Sequence, residues 1–409
     1  MIEGRYTLCT RVAVFEDADG TIWARELWRK DLDLHLDYIA DFHLCCPVEP
    51  LPRDTRGLVP VPRLPRDRVM ALRPDRGWGS VLRNLVPNFR TVRRAVQQSQ
   101  IVHSGGAGWA FPLSFYILPL SYGRRFFWIM LIESSTWMKP ARGRARLRQL
   151  LTHHVHASLL GRALRRADAQ IFTSEGYRSF FGIGPERSLI APAVWIDEEV
   201  ILSDEAQAAR LGALPDDAVR LIFPARLTRE KGVETVLSGI AALSERLAGP
   251  GGQSAPRIEI DLMGEGPMRD DCARFAETHA GPVRVRVLDQ IAYGPAFFEA
   301  LRAYHGALLA NRQQEQPRIL YDVFSQGLPA ISSDTGGVRQ VVAAGEDTLL
   351  YPIDDADALA DAILTFAQDG TLREAMSHRA LTRVRGFSQR RMHEEREAFL
   401  LACMDRRGG

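Results

Sequence analysis

Short apolar runs alternate with segments of helical apolar spacing along the second half of this chain. A run at 219–224 is followed by a turn and then by a helical pattern over 232–247. Further apolar runs of the same kind begin at Ile258, Val283, Ala307, Ala330 and Thr348. Strands that are apolar throughout are buried on both faces, which is typical of a parallel sheet covered by helices. The alternation therefore predicts an α/β domain over residues 217–385.

The first half of the chain repeats this pattern with more interruptions. A basic helical stretch at 142–166 interrupts it, and a Pro- and Arg-rich stretch precedes it at 51–76. We interpret residues 1–203 as a second α/β domain that carries a basic insertion. Its strand-like runs lie at 101–103, 126–132, 169–173 and 188–191.

The remaining segments connect or follow the two domains. Residues 204–216 are polar and lack strand character, so we predict that they form a linker. Residues 386–409 contain a charged amphipathic pattern, which predicts a C-terminal helix. A chain of 409 residues has room for two or three domains of ordinary size, in agreement with this division.

The composition excludes several classes of protein. Apolar residues make up 46% and charged residues 25%, as in soluble globular proteins, which argues against disorder and fibrous structure. The five cysteines have no CxxC spacing, so we expect reduced, packed thiols and no disulfide framework or zinc site. The first residues lack a secretory pattern, and residues 121–125 interrupt the most apolar stretch before it reaches the length of a membrane span. These features predict a cytoplasmic protein.

The net charge of +2 is the sum of two unlike halves. Residues 1–200 carry a net charge of +8, and residues 201–409 carry a net charge of −6. Within 53–166 there are 21 basic residues and 4 acidic ones. Such a basic region indicates a phosphate-bearing partner, namely a nucleotide, a nucleic acid or an anionic lipid. The lack of interleaved aromatic residues and of a nucleic-acid-binding module argues against nucleic acid.

Two cations stand in a turn directly after the strand-like run at 219–224. Arg226 and Lys231 precede Gly232, where the next helical pattern begins. A helix N-terminus offers free N–H groups and the two side chains add charge-assisted hydrogen bonds, so this turn suits an anion such as a phosphate. Lys231 is one of only three lysines among 52 basic residues, which favours a specific role. A solvated turn without a ligand is the alternative interpretation.

Two glycines follow the next strand-like run. Gly264 and Gly266 lie just after the run that begins at Ile258. Glycines at such a position permit close approach of the backbone to a ligand, although a simple turn also requires them. Ligands of open α/β sheets gather at this edge of the sheet, which favours the first interpretation.

Carboxylates and amides surround a short predicted helix at 318–325. Gln314 and Glu315 precede this helix, and Asp322 lies on it. Such side chains can face one cleft and form hydrogen bonds with the hydroxyl groups of a sugar or a ribose. The apolar neighbours of Asp322 argue against an ordinary solvated helix face.

These motifs, in this order, resemble the donor-binding domain of the family 4 glycosyltransferases, which are retaining enzymes of the two-domain GT-B fold. The family pattern GRLxxxKG corresponds to residues 225–232, and its GxGP loop corresponds to 264–267. Its glutamate-containing block corresponds to residues 314–333. The resemblance implies an α/β GT-B fold, with two Rossmann-like parallel-sheet domains facing a central cleft. It also implies that the C-terminal helix crosses back to the N-terminal domain.

The resemblance further implies roles for individual residues. Arg226 and Lys231 would hold the donor diphosphate. Asp322 would take the place of the family's glutamate that binds the ribose. Gln314 aligns with the first glutamate of the family and Glu315 follows it, so either side chain is a candidate to orient the donor sugar. The catalytic candidates are Arg226, Lys231 and Glu315. The donor-binding candidates are Gly264, Gly266, Gln314, Gln316, Pro317, Arg318 and Asp322.

The chain departs from the family pattern at several positions. Glu315, Gln316 and Pro317 stand where the family has flexible glycines, which makes the loop stiffer. Asp322 is one methylene shorter than the family's second glutamate, and Gln340 replaces a glutamate after the double glycine. A non-catalytic nucleotide-sugar-binding protein is therefore the alternative hypothesis.

The first half of the chain resembles the family less closely. The segment from His103 to Gly106 follows one predicted strand and is a candidate to line the acceptor cleft, and Glu133 follows another strand. Gly105, Gly106 and Glu133 are therefore candidates for the acceptor side. A purely structural role is the alternative for Glu133. Asp17 and Asp19 are more typical of a hairpin turn than of a metal site. Three histidines in the basic helical stretch are interpreted as solvated and not as metal ligands: His153, His154 and His156.

The sequence therefore predicts the transfer of a sugar from a UDP- or GDP-linked donor to a hydroxyl acceptor in polysaccharide or glycoconjugate synthesis. Because Arg226 and Lys231 can neutralise the diphosphate, we expect that no metal or other cofactor is required. The stretch at 139–166 has eight cations and no acidic residue, with apolar residues between them. We expect it to rest on an anionic cytoplasmic membrane and to meet a lipid-linked acceptor. A helix packed on its own domain is the alternative.

Overall fold

The chain forms two compact units in the computed structural model. Unit 1 contains Met1–Ala193 and Arg390–Gly409, and unit 2 contains Val194–Gln389. The boundary between the units therefore lies after residue 193 and not after residue 203. The structure describes residues 1–106, 111–123, 125–133, 146–249 and 256–408, with the backbone alone for residues 146–152 and 408.

Ten strands form the sheet of unit 1 within the described residues. They are β1 (Ile2–Cys9), β2 (Val14–Glu16), β3 (Ile22–Arg25), β4 (Ile39–Pro50), β5 (Leu58–Pro60), β6 (Val69–Leu72), β7 (Ile101–Gly105), β8 (Phe127–Ile132), β9 (Ala169–Phe172) and β10 (Ser188–Ile190). Their order is β10-β9-β8-β7-β1-β4-β2-β3-β5, and β6 also pairs with β4. Along the part of the order that runs from β10 to β4, every neighbouring pair of strands is parallel. Strand β3 pairs with β2 and with β5 in antiparallel fashion. The predicted strands of the first half, which correspond to β7 to β10, are confirmed.

A hairpin turn joins β2 and β3. The Asp17 carboxylate accepts the backbone N–H groups of Asp19 at 3.0 Å and Thr21 at 2.8 Å, and its second oxygen accepts Nε1–H of Trp23 at 2.9 Å. A carboxylate that accepts local backbone donors in this way stabilises a tight turn. The interpretation of Asp17 and Asp19 as part of a hairpin turn is confirmed.

Helices cover both faces of this sheet. They are α1 (Glu26–Tyr38), α2 (Trp78–Gln98), α3 (Leu113–Leu120), α4 (Arg146–Arg166) and α5 (Glu175–Phe181). Successive side chains of a strand point to opposite faces, so Trp128 and Ile129 of β8 belong to different cores. Trp128 packs with apolar residues of α2, α3 and α4, whereas Ile129 packs with those of α1 and of the helix at Gln389–Gly408.

Unit 2 contains a parallel sheet of six strands within the described residues. They are β11 (Ala218–Pro224), β12 (Arg257–Met263), β13 (Arg284–Leu288), β14 (Gly306–Leu309), β15 (Ala330–Ser333) and β16 (Thr348–Tyr351). Their order is β13-β12-β11-β14-β15-β16, and every neighbouring pair is parallel. This is the strand order of a Rossmann-type sheet, in which the order reverses between the first and fourth strands. The strands predicted for residues 217–385 are confirmed.

The helices of unit 2 flank this sheet. They are α6 (Asp204–Ala213), α7 (Val233–Ala248), α8 (Arg269–Thr278), α9 (Pro295–Leu301), α10 (Ile319–Ser325), α11 (Gly336–Arg339), α12 (Ala356–Gln368) and α13 (Gly370–Val384), and α14 (Gln389–Gly408) follows them. Val236 and Ile240 of α7 are buried with Leu359 and Ile363 of α12 in the core that contains Leu221 of β11. Apolar residues at spacings of three and four produce this buried stripe.

The segment predicted as a linker, 204–216, lies inside unit 2 and is mostly helix. Ser203 caps α6, because its Oγ accepts the backbone N–H of Ala206 at 3.1 Å. Asp204 and Glu205 occupy the first turn, where negative charge is favourable. These residues are ordinary signals for the start of a helix, and the polar composition of the segment concealed them.

Two further sequence expectations concern thiols and membranes. All five cysteines are described; each is buried and unbridged, so the prediction of packed thiols is confirmed. Among the described residues, no helix combines the length and the apolar character needed to cross a bilayer.

Candidate active site

The sequence motifs of unit 2 meet where the strand order of its sheet reverses. The turn after β11, the loop after β12, the segment after β13 and helix α10 surround a cavity of about 190 Å³. Ligands of open α/β sheets bind in the crevice at the carboxyl ends of the strands at such a switch point. The residues that line the cavity include Arg226, Gly264, Gln290, Tyr293, Phe297 and Asp322.

Arg226 and Lys231 lie in the turn after β11, as the motif predicts. Arg226 is exposed, and its guanidinium has no ion pair or hydrogen bond with the residues that the structure describes. Burial lowers the pKa of the Lys231 ammonium, the positive charge of Arg226 lowers it further, and the negative charge of Glu315 opposes this change. Two cations that lie close together, with no ion pair to a carboxylate within the described part of the chain, favour the binding of an anion.

Gly264 and Gly266 are required by the approach of two backbone segments. Gly264 has φ of +154°, and a Cβ atom there would lie 2.0 Å from the carbonyl oxygen of Ala225. Gly266 has φ of +152°, and its Cβ atom would lie 2.5 Å from the carbonyl oxygen of Leu227. The glycines therefore let the loop after β12 pack on the turn that carries Arg226. Gly264 also lines the cavity, so a structural role and a binding role are compatible there.

The loop before α10 holds the amides of the third motif. Gln314 Oε1 accepts the backbone N–H of Gly336 at 2.7 Å, at the start of α11. The amide of Gln316 donates to the hydroxyl oxygen of Tyr321 at 3.0 Å. Glu315 contributes negative charge at Lys231. The side chains of Gln314 and Gln316 are thus engaged inside the loop, and Glu315 faces the cations.

Pro317 and Arg318 lead into α10. Pro317 is buried directly before Arg318, which is the N-cap residue of the helix. The guanidinium of Arg318 lies over the ring of Trp195, with 5.5 Å between its Cζ atom and the ring centroid. Arg318 also raises the positive charge around Lys231, since its charge lowers the pKa of that ammonium. The predicted helix is confirmed, with its first residue at Ile319.

Asp322 is the buried carboxylate of the cavity. The residue is 8% exposed, and its Oδ1 accepts a hydrogen bond from the hydroxyl of Tyr293 at 3.0 Å. Burial raises the pKa of the carboxyl group to about 7, although the Tyr293 hydrogen bond and the charge of Arg318 lower it. Sequence reasoning missed Tyr293, which lies in the segment between β13 and α9. An aromatic residue with a hydroxyl group at the carboxyl end of a sheet strand was the available signal.

The acceptor-side candidates lie in unit 1, at the carboxyl ends of β7 and β8. Gly105 ends β7, and no atom of the described residues lies within 4 Å of the place where its Cβ atom would stand. Gly106 is buried, and a Cβ atom there would lie 2.4 Å from Ile132 Cδ1, so packing explains this glycine. Glu133 is exposed, and its negative charge raises the pKa of the buried Arg396 guanidinium. Gly105 and Glu133 therefore have the accessibility that a binding role needs, whereas Gly106 is a core residue.

Two histidines assigned to solvent or to a cleft are buried. His103 is a central residue of β7, 1% exposed, and its Nδ1 lies 2.7 Å from the hydroxyl of Tyr6. The suggestion that the segment at His103 lines a cleft is therefore wrong for this side chain. His156 is buried against Phe115, with 5.3 Å between the ring centroids, so its interpretation as a solvated residue is also wrong. Of the predicted membrane stretch 139–166, residues 139–145 and the side chains of 146–152 lie outside the described residues.

Within the described residues, one group of side chains has metal-ligand character. Ligand atoms of Asp31, His35 and His393 lie within 4.8 Å of one another. His393 Nε2 lies 3.1 Å from Asp31 Oδ1, and His35 Nδ1 lies 2.8 Å from the carbonyl oxygen of Asp31. The guanidinium of Arg396 lies 3.4 Å from His35 Nε2 and supplies the positive charge of the group. These contacts describe a hydrogen-bonded network that joins α14 to α1 inside unit 1.

Comparison with known proteins supports the family resemblance. Residues 218–369 match the family model of the glycosyl transferases group 1. The chain is 24% identical over 165 residues to the lipopolysaccharide core biosynthesis glycosyltransferase LpsE of Rhizobium meliloti, and 27% identical over 200 residues to the phosphatidyl-myo-inositol mannosyltransferase of Mycolicibacterium smegmatis. These matches cover 40% and 48% of this chain, and the chain spans about half the length of the relatives, at 44% and 48%.

A solved structure extends the comparison to both units. The structure of HepE from Anabaena in complex with UDP and glucose matches with a TM-score of 0.64, over 97% of this chain and 99% of that one. The sequence identity is 15%, so this match concerns the fold. The prediction of the GT-B fold is confirmed. Residues 218–369 of this chain thus match the glycosyl transferases group 1, within a chain of two Rossmann-like units that has the GT-B fold.

Proposed function

We propose that this chain transfers a sugar, with retention, from a UDP- or GDP-linked donor to a hydroxyl acceptor. The observation that supports the proposal is the cavity of unit 2, which is lined by Arg226 and by the buried carboxylate of Asp322, with the half-buried Lys231 close to Arg226. Cations suit a diphosphate, and a carboxylate accepts hydrogen bonds from ribose hydroxyls. The names of the relatives and the UDP complex of HepE agree with this substrate class.

In the proposed reaction the bond between C1 of the sugar and the diphosphate oxygen breaks, and C1 forms a bond to the acceptor oxygen on the same face. Arg226 and Lys231 stabilise the charge that develops on the leaving diphosphate. The departing phosphate oxygen takes the proton of the acceptor hydroxyl, so no nucleophilic side chain is needed. Glu315 orients the donor sugar in this scheme, since its carboxylate lies near Lys231, where its charge acts on the ammonium.

The proposal includes catalysis without a metal ion. Arg226 and Arg318 both lie close enough to Lys231 for their charges to lower the pKa of its ammonium, so three neighbouring cations are candidates to neutralise the diphosphate. We therefore expect purified protein to retain its full rate of sugar transfer in excess EDTA. A rate that falls at least about tenfold with EDTA and returns with Mg²⁺ or Mn²⁺ would reject this part of the proposal.

A screen of nucleotide sugars tests the proposed function directly. Turnover and thermal stabilisation are measured with UDP- and GDP-linked sugars, using the wild type, Arg226→Ala and Lys231→Ala. Arg229→Ala is the matched control, since Arg229 lies in the same turn but pairs with Glu234 at 3.2 Å. We expect turnover to fall about 100-fold in the first two variants, as for loss of a charge-stabilising donor, and to remain unchanged in the control. If Arg226→Ala and Lys231→Ala turned over the donor as fast as the control variant, the result would contradict the proposal. If the wild type bound a nucleotide sugar without turnover, the chain would be a nucleotide-sugar-binding protein.

We further propose that the acceptor is lipid-linked and that the chain works at the cytoplasmic face of an anionic membrane. Helix α2 supports this proposal. Trp78, Leu82 and Val86 recur at spacings of four residues and are 49%, 70% and 56% exposed, so they form an apolar stripe on one side of the helix. Helix α2 also carries four exposed arginines and no acidic residue: Arg83, Arg90, Arg93 and Arg94. Apolar anchors beside cations suit an anionic lipid surface.

Co-sedimentation with vesicles tests this surface. We expect the wild type to bind vesicles that contain phosphatidylglycerol, and to bind less at high salt and on pure phosphatidylcholine. The triple substitution of Trp78, Leu82 and Val86 by Ser should abolish binding. Ile353→Ser is the control, since Ile353 is an exposed apolar residue of unit 2. No binding of the wild type to anionic vesicles, or full binding of the triple variant, would reject the proposal.

A further inference from the structure

Tyr293 and Asp322 form a buried pair at the wall of the cavity. Tyr293 lies between β13 and α9, and Asp322 lies on α10, so the pair depends on the fold of unit 2. The hydroxyl of Tyr293 donates to Oδ1 of Asp322 at 3.0 Å. Among the described residues, Oδ2 of Asp322 has no hydrogen-bond donor. One oxygen of the carboxylate is therefore held by the protein, and the other is available to a ligand in the cavity.

The ring of Tyr293 is held in place by aromatic neighbours. Phe297 lies in stacked geometry, with ring centroids 5.8 Å apart and an interplanar angle of 28°. Phe298 packs edge to face, with centroids 5.3 Å apart. Such contacts hold the whole ring in place, so the position of its hydroxyl oxygen is fixed as well. The tyrosine can thus fix the orientation of a side chain that is shorter than a glutamate.

The electrostatics of the pair agree with this geometry. Burial disfavours the ionised carboxylate, and the two groups that favour it are the Tyr293 hydroxyl and the Arg318 guanidinium. Burial and the Asp322 carboxylate raise the pKa of the Tyr293 hydroxyl, and the charge of Asp197 raises it further. Arg226 also lies on the cavity wall. A hydrogen bond donated to the ionised form is one of the few ways to keep a buried carboxylate charged.

We propose that Tyr293 is a positioning residue for the ribose of the donor. It holds Oδ1 of Asp322, so that Oδ2 accepts a hydrogen bond from a ribose hydroxyl and the site selects ribonucleoside diphosphates. This inference rests on the proposed function. A ligand that has hydrogen in place of the ribose hydroxyl would leave the buried Oδ2 of Asp322 without a hydrogen bond. The site should therefore discriminate strongly between the two ligands.

The experiment compares two ligands in two proteins by calorimetry. The ligands are UDP or GDP, whichever the wild type binds more tightly, and its 2′,3′-dideoxy analogue. We expect the wild type to prefer the ribonucleotide at least about tenfold, and Tyr293→Phe to reduce this preference to about twofold. Asp322→Asn should remove the preference as well. Tyr304→Phe is the matched control, since the Tyr304 hydroxyl donates to Asp261 at 2.6 Å elsewhere in unit 2, and it should keep the full preference.

The pH dependence supplies a second readout that a purely structural role would not change. Ribonucleotide affinity should rise with pH as Asp322 ionises, around pH 7 in the wild type. Loss of the donated hydrogen bond in Tyr293→Phe should move this midpoint to higher pH, whereas Tyr304→Phe should leave it in place. If Tyr293→Phe kept both the ribose preference and the pH midpoint of the wild type, the inference about Tyr293 would be overturned. The proposed function would not be affected by that result. A wild type that binds neither UDP nor GDP would overturn the proposed function, and the inference with it.

Discussion

Burial of the Asp322 carboxyl group costs the folded protein stability. Burial raises the pKa of its carboxyl group from 3.8 to about 7. The folded state therefore binds the proton more tightly than the unfolded state, and stability is lost as pH rises from about 4 to about 7. Each pKa unit corresponds to about 1.4 kcal/mol, so the buried carboxylate costs unit 2 several kcal/mol above pH 7. An ionisable group is retained at such a cost mainly at functional sites.

Asp322→Asn should therefore stabilise the protein and do so more at high pH. The amide keeps the shape and an acceptor for Tyr293 but carries no charge to bury. From the shift of about three pKa units, we expect the gain in free energy of unfolding to be about 2–3 kcal/mol larger at pH 8 than at pH 5. Thermal or urea unfolding of both proteins at the two pH values measures this difference. A gain that is equal at pH 5 and pH 8, or a loss at both, would show that the carboxylate is not strained by burial.

Among individual residues, the sequence predicts the site candidates that belong to a motif. It misses those that only tertiary packing brings to the site. Arg226 and Lys231 are identified because they stand at fixed offsets after a strand. Asp322 is identified because it lies on a short helix with apolar neighbours. Tyr293 is 29 positions away from Asp322, in a segment without periodicity, and only the packing of α9 against α10 brings the two together. Gly106 is the opposite case, because the sequence suggested a binding role and the structure shows a glycine required by packing.

Helix α14 depends on polar contacts as well as on its apolar residues. Met392, Leu400 and Cys403 are buried in the core that α1 also contributes to. Between them, His393 and Arg396 are buried beside Asp31 and His35 of α1. Buried polar groups are tolerated because they are hydrogen-bonded to one another, which also fixes the register of the two helices.

This network should make unit 1 sensitive to acid. Burial lowers the pKa of the His393 imidazole from 6.5 to about 4, even though Asp31 raises it. The folded-state pKa is the lower one, so stability is complete above pH 6.5 and is lost as pH falls toward 4. Between pH 7.5 and pH 5 the wild type should lose about 2 kcal/mol more free energy of unfolding than His393→Gln. His378→Gln is the control, because His378 is exposed, and its pH dependence should equal that of the wild type.

Urea unfolding at several pH values measures these slopes. The slope is the informative quantity, since His393→Gln also loses packing and is expected to be less stable at neutral pH. Parallel pH curves for the wild type and His393→Gln would rule out the buried imidazole as the source of acid sensitivity.

Elements were predictable where their period was clear. The strands β11 to β16 coincide with runs that are rich in apolar residues and separated by helical patterns, so their positions could be predicted to within about a residue. Helix α6 was missed because its capping signals lie in a polar segment. Helix α2 was missed because Pro87 lies inside it, and an internal proline ordinarily argues against a helix.

The difference in net charge is larger between the two compact units than between the two halves of the sequence. Unit 1 contains 33 basic and 21 acidic residues, and unit 2 contains 19 and 29, which gives net charges of +12 and −10. The contrast between halves of the sequence was +8 against −6. It increases because the acidic residues Asp197, Glu198 and Glu199 belong to unit 2 and the basic residues of the C-terminus belong to unit 1. The proposed lipid surface and the proposed donor site therefore lie on units of opposite net charge.

The chain begins and ends in unit 1, and this topology leads to a prediction for truncation. Removal of residues 390–409 deletes residues that follow unit 2 in sequence but complete the core of unit 1. Loss of the buried Met392, Leu400 and Cys403 should cost unit 1 several kcal/mol, since each large buried apolar side chain contributes about 2–5 kcal/mol. In hydrogen exchange, peptides from β1, β4 and α1 should lose protection, whereas peptides from β11 to β16 should keep it. Removal of residues 408–409 alone is the control and should leave both patterns unchanged. Loss of protection that is concentrated in β11 to β16 would contradict the assignment of α14 to the core of unit 1.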